Sequence, residues 1–147
     1  MIPITCFTEQ TDFTPPPAAY LHTWLQEVVG QADKEIVHLN FIFCDDTYLH
    51  ALNLKHLQHD TLTDVITFDH SEDADHLEGD IYISVDTVDA NATKRNIPFA
   101  HELSRVIVHG TLHLMGYDDK TEATRSQMRT QEDRCLALPS AQAVMNQ

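Results

Sequence analysis

Residues 109–119 read His-Gly-Thr-Leu-His-Leu-Met-Gly-Tyr-Asp-Asp, placing two imidazoles four residues apart, then a Gly-Tyr break, then two adjacent carboxylates. On a helix, a spacing of four is one turn plus about 40°, so His109 and His113 leave from one stripe. Backward, that stripe runs through Val106 to Glu102, while Leu103, Ile107, Val108, Leu112, Leu114 and Met115 make the rest of the helix apolar. Such a helix is buried, and two buried histidines side by side are unfavourable unless a shared cation satisfies them. Gly116 can take the positive φ that ends a helix, which swings the chain back toward the rings. Asp118 and Asp119 follow His113 by five and six residues, so a carboxylate is the expected third donor. Two imidazoles and one carboxylate leave a coordination position open, as catalytic zinc sites do. Water held there would be acidified toward roughly pH 7 and would serve as the nucleophile. No side chain is singled out as a catalytic acid or base.

The residue after the first histidine narrows the chemistry. Metalloproteases with the pattern H-E-x-x-H keep a general-base glutamate there. Here it is Gly110, which can neither take a proton nor polarise water, so peptide hydrolysis by that route is disfavoured. The other eight histidines have no comparable spacing and read as surface or polar filler.

The elements that must position these donors follow from periodicity. Residues 2–7, IPITCF, read as a first strand, and Thr14 with Pro15 as a helix start leading into Leu21, Trp24, Leu25 and Val28 at helical spacing, with Gly30 as a stop. EIVHLNFIF alternates, with Val37, Leu39, Phe41 and Phe43 expected on one face of a strand. DDTYLHALNLKHL reads as a short helix capped by Asp45 or Asp46. DVITF and GDIYISV are β-rich runs joined by the acidic stretch 69–80. That stretch fails as an EF-hand, because from Asp73 the fifth position is Leu77 and Gly79 falls one place late. Helices are expected over about 86–95, 98–116 and 121–137. The fold class is therefore α+β, a single domain spanning 1–147, with a mixed four-stranded sheet packed with about five helices.

At 147 residues the chain can bury roughly 68–70% of its unfolded surface, so a metal is more plausibly functional than a folding staple. The first basic residue is Lys34, so no basic n-region of a signal peptide precedes it, and no apolar run approaches the ~20 residues of a membrane span. Three widely spaced cysteines without a Cys-x-x-Cys fit reduced thiols in a cytoplasmic protein. The formal charge of −14 argues mildly against a polyanion as partner. Its placement keeps that partner open, because seven of the nine Lys and Arg lie between Lys94 and Arg134. Lys94, Arg95, Lys120, Arg125 and Arg129 are the candidate phosphate contacts.

The stretch HGTLHLMGYDD, preceded by TLTDVITFD and GDIYIS, resembles the YbeY family of bacterial endoribonucleases over about residues 35–136. The resemblance implies a metzincin-like (zincin-like) fold and one zinc ion per chain. It also implies single-strand-specific cleavage in 16S rRNA 3′-end maturation and ribosome quality control, in the cytoplasm, with rRNA and the ribosome or ribosomal proteins as partners. His109 and His113 match the family's first two ligands, and Asp119 stands where the third ligand is usually histidine. A carboxylate there makes the site a weaker Lewis acid and shifts its preference toward harder ions such as Mn²⁺ or Mg²⁺. A second departure is Leu57, where many members carry the arginine of an N-x-x-[aromatic]-R segment; Asn53 is in place, and Lys55 or His56 are the neighbours that could substitute for the charge. Thr63, Asp64, Gly79 and Asp80 match cleft-forming segments. Two other readings stay open at this level: a zincin-like metalloprotease or small-molecule hydrolase, and a non-catalytic ribosome-assembly factor with a structural metal.

Overall fold

The computed structural model describes residues 2–57 and 63–146. Four strands, β1 (Ile4–Glu9), β2 (Glu35–Cys44), β3 (Val65–Asp69) and β4 (His76–Ser84), form one sheet in the order β1-β2-β4-β3. β1, β2 and β4 run parallel, and β3 returns antiparallel to β4 as a hairpin. The sheet is therefore mixed, as the sequence indicates. Among the described residues there are six α-helices, one more than expected: α1 (Ala18–Gly30), α2 (Asp46–Leu52), α3 (Val85–Arg95), α4 (Phe99–Leu114), α5 (Glu122–Leu136) and α6 (Pro139–Met145). The extra one, α6, starts at Pro139 and buries Ala141, Val144 and Met145. A π-helical turn, Asn53–Leu57, extends α2.

Alternation along the strands puts Leu39, Phe41, Phe43, Leu77, Ile81 and Ile83 on one face, all nearly inaccessible. On that face α1 packs against β1 and β2, and α4 against β3 and β4, with α3, α5 and α6 outside α4. The central helix is thus covered on most of its surface, which is why it is apolar nearly all round, with His109 and His113 left partly exposed. Trp24 ties the two helical layers together by donating its indole N–H to the Cys135 carbonyl at 3.0 Å.

Two local readings are corrected. Val37 does not share the core face: a bulge between Ile36 and His38 leaves it 48% exposed and makes Ile36 the buried residue. The first long helix begins at Ala18 rather than at Thr14–Pro15, after a run of three prolines whose last, Pro17, is extended at the cap. Asp45, not Asp46, caps α2 by accepting from the Tyr48 amide at 2.8 Å. The three cysteines are free, and burial pushes Cys6 and Cys135 up to about 11 and Cys44 up to about 12. No described helix is long and apolar enough to cross a membrane.

Candidate metal centre and cleft

Helix α4 ends in a way that builds the site. Met115 is the C-cap and Gly116 follows at φ 109°, a conformation that side chains rarely adopt. The Gly116 amide donates to the His113 carbonyl at 3.0 Å and the Tyr117 amide to the Leu112 carbonyl at 3.1 Å, the paired bonds of a Schellman motif. The chain reverses there and brings Asp119 back over the helix. Asp119 Oδ2 lies 3.3 Å from His109 Nε2 and 3.5 Å from His113 Nε2, and one donor atom from each residue falls within 4.8 Å of the others. Two tetrahedral ligands at zinc bond lengths stand about 3.3 Å apart, so the donor set fits a small divalent cation. This is the one such grouping among the described residues. Asp118 turns away, accepting from the Lys120 amide at 3.3 Å, so Asp119 is the carboxylate that converges.

The ring of His109 is held from behind. Its Nδ1 lies 2.6 Å from Glu132 Oε2 on α5, and Arg105 donates from Nη1 to Glu132 Oε1 at 2.9 Å. Arg105 also donates to Asp133 Oδ1 at 2.8 Å. Burial opposes a proton on His109, but the hydrogen bond and charge of Glu132 outweigh it and raise the pKa. On His113 burial, reinforced by the charge of His109, lowers it. Burial alone would raise Glu132, yet its bonds to His109 and Arg105 hold it below the usual carboxylate range. Glu132 was not among the residues singled out from sequence. It lies 23 positions beyond His109 on another helix, with no motif to mark it.

The centre opens into a cleft of about 250 Å³ between α4 and α5, lined by Asp64, Arg95, Glu102, Arg125, Arg129 and Glu132, among others. Three of the five candidate phosphate contacts therefore share it: Arg95, Arg125 and Arg129. Lys94 and Lys120 are exposed but do not line it. Arg95 shares its Nη1 between both oxygens of buried Glu102, each at 2.8 Å. Among the described residues, neither Arg125 nor Arg129 has a carboxylate partner, and Arg125 reaches only the Lys120 carbonyl at 3.4 Å.

The cleft-forming segments divide as well. Asp64 lines the cleft, whereas Thr63 bonds the Val65 carbonyl. A Cβ on Gly79 would stand 2.6 Å from the Phe68 carbonyl oxygen, so glycine there is a packing requirement. Asp80 points to the opposite face of the sheet, where Asn40 and His70 bond it. Gly110 has a packing reason too: a Cβ would lie 2.8 Å from Ile81 Cγ2, so position 110 faces the sheet and not the cleft. Lys55 is exposed, and the side chains of His56 and Leu57 lie outside the described residues, as does His59.

Comparison with known proteins agrees with this layout. The sequence profile of the family described as Endoribonuclease YbeY matches residues 6–138. The chain belongs to that family. A YbeY endoribonuclease of Amoebophilus asiaticus is 48% identical over 126 residues, covering 86% of each chain. One from Flavobacterium johnsoniae is 42% identical over 132 residues, covering 90% of this chain and 94% of the relative. The solution structure of TM1509 from Thermotoga maritima superposes with a TM-score of 0.60 at 26% identity, covering 94% of this chain and 95% of that one. The YbeY-type α+β fold is thus shared, and neither the protease nor the non-catalytic alternative is favoured.

Proposed function

We propose that residues 1–147 form one YbeY-like hydrolase domain that cleaves single-stranded RNA, in 16S rRNA 3′-end maturation and ribosome quality control. It works in the cytoplasm with rRNA and the ribosome or ribosomal proteins as partners, and without a membrane. The observation that carries this reading is the convergence of His109 Nε2, His113 Nε2 and Asp119 Oδ2 beside two arginines that have no carboxylate partner among the described residues. His109, His113 and Asp119 hold one divalent cation, with zinc the first choice and Mn²⁺ or Mg²⁺ the harder alternatives. A cation bound there supplies Lewis acidity to a phosphodiester and lowers the pKa of water.

The chain's own residues do the rest by placement. Arg125 and Arg129 neutralise phosphates along the cleft, an electrostatic contact that positions the strand without reading its sequence. Arg95 presents a guanidinium whose orientation Glu102 fixes, which limits it to phosphate contact with the donors that Glu102 leaves open. Asp64 adds negative charge at the rim and so keeps the polyanion to the α5 side. The overall acidity stays compatible with RNA, because Arg125 and Arg129 line this cleft without a carboxylate partner among the described residues.

Elemental analysis of purified protein, with cleavage of a single-stranded RNA assayed on the same samples, tests the reading. One equivalent of metal with cleavage in the parent, both lost in His113→Ala, is the expected result. Cleavage that survives in a metal-free His113→Ala protein would overturn it.

A further inference from the structure

We infer that Glu132, itself held by Arg105, is the positioning residue that fixes the tautomer and orientation of His109. The inference rests on the metal-centre reading above and concerns Glu132, which lies on α5, whereas the two histidines lie on α4 and Asp119 on the turn after it. Glu132 Oε2 lies 2.6 Å from His109 Nδ1, and its Oε1 accepts from Arg105 Nη1 at 2.9 Å. The carboxylate is 5% exposed, so little solvent competes for either oxygen.

A carboxylate can only accept, so the bond to Nδ1 requires a proton on that nitrogen. In the neutral ring the lone pair is then on Nε2, the atom 3.3 Å from Asp119 Oδ2. A ring protonated on Nε2 would present N–H to the centre and a flipped ring would present C–H, and neither could act as a donor to a cation. Carboxylate–imidazole pairs of this kind hold ligating histidines in register and increase their basicity. Arg105 completes the device. It draws Oε1 away from the ring and keeps the buried charge paired, with Asp133 as a second anchor at 2.8 Å.

Among the described residues no comparable carboxylate stands behind His113, which has a hydrogen bond to the Tyr117 backbone instead. The two imidazoles are therefore held differently: His109 by a buried carboxylate on a neighbouring helix, His113 by the backbone just beyond its own helix.

Glu132→Gln makes a strict test because its shape is unchanged. A buried amide has one oxygen and one NH₂ where the carboxylate had two acceptors, so it cannot satisfy Arg105 and His109 together. Nitrogen-resolved NMR of the imidazoles in metal-free protein at alkaline pH is expected to show His109 as the Nδ1–H tautomer in the parent and a mixture in Glu132→Gln. Competition of the metal-free proteins with a chromophoric chelator for zinc should show a loss of about 10- to 100-fold in affinity for Glu132→Ala, with Glu132→Gln between it and the parent. Arg105→Gln should give a smaller loss of the same sign.

A folded Glu132→Gln protein with the parent tautomer and zinc affinity within twofold overturns the inference. Should Glu132→Ala fail to fold, Glu132→Gln alone decides it. If the parent binds no zinc, the metal-centre reading falls, and the tautomer of His109 still decides the role of Glu132.

Discussion

Among the described residues, two regions bring histidines and carboxylates within 3.5 Å of each other, and only one of them groups three donors that could hold a metal ion. On the β3–β4 hairpin, His76 Nδ1 lies 2.8 Å from Asp73 Oδ1, and His70 Nε2 lies 3.1 Å from Asp80 Oδ2. In the cleft, His109, His113 and Asp119 are spaced no more closely. The hairpin acids are consumed locally: Asp69 accepts from the Ser71 amide and Asp73 from the Asp75 amide, each near 2.8–2.9 Å. Their bonds shape a turn, and each histidine meets one acid in the open. In the cleft, a helix stripe, a helix stop and a neighbouring helix aim three donors at one point and hold one ring from behind. Convergence imposed by buried elements, not proximity of residue types, separates a site from a solvated cluster.

The strongest way to break that contrast is to delete one acid from each region. Asp119→Ala should lose the full equivalent of metal, whereas Asp73→Ala should retain it, as read by elemental analysis after dialysis. Equal metal content in the two variants would erase the distinction.

The scaffold of the cleft offers the next largest effects. Gly110→Ala forces a methyl to within 2.8 Å of Ile81 Cγ2, and overpacking of this kind costs about 1–3 kcal/mol, offset in part by up to about 1 kcal/mol of helix propensity. Gly116→Ala meets no neighbour but must hold φ 109°, which costs about 1–2 kcal/mol. Denaturant melts of the metal-free proteins should place both below the parent, and Gly116→Ala should also bind zinc more weakly because Asp119 depends on that reversal.

On the wall of the cleft, the doubly substituted Arg125→Ala, Arg129→Ala protein should lose two phosphate contacts. For a single strand that lowers the slope of log affinity against log salt by about 1.4. A slope unchanged from the parent would remove these arginines from the RNA path.

The smallest effect belongs to the hairpin pair. The bond to Asp73, with its charge, raises His76, and the bond from His76 lowers Asp73. The His76 contribution is present below the ordinary imidazole pKa and fades as pH rises through the raised value. The Asp73 contribution is present above the ordinary carboxylate pKa and fades as pH falls through the lowered one. Both groups are exposed, so the melting temperature should barely respond. A proton NMR titration should nevertheless place His76 above an unperturbed imidazole, and Asp73→Asn should return it.

Sequence carries the local half of this architecture well. The stripe from Glu102 to His113 and the stop at Gly116 depend only on helical period and backbone conformation, and both appear in place. Strands with clean alternation were equally legible. What escaped depends on tertiary partners. Glu132 means nothing until α5 packs on α4, and the same holds for the Arg95–Glu102 pair that ties up one of the candidate cations. Val37 fails because one extra residue at a bulge reverses the side-chain alternation. Helix α6 fails because seven residues beginning at a proline carry too little periodicity to declare themselves.

The contact between Gly110 and Ile81 also bears on what this scaffold can become. A lineage that needed a glutamate beside the first histidine could not acquire it by one codon change, since the new side chain would meet the sheet before it met any substrate. Helix and sheet would first have to part, and the three donors would lose their alignment on the way. Intimate packing beneath the metal centre thus acts as a barrier between two kinds of hydrolase.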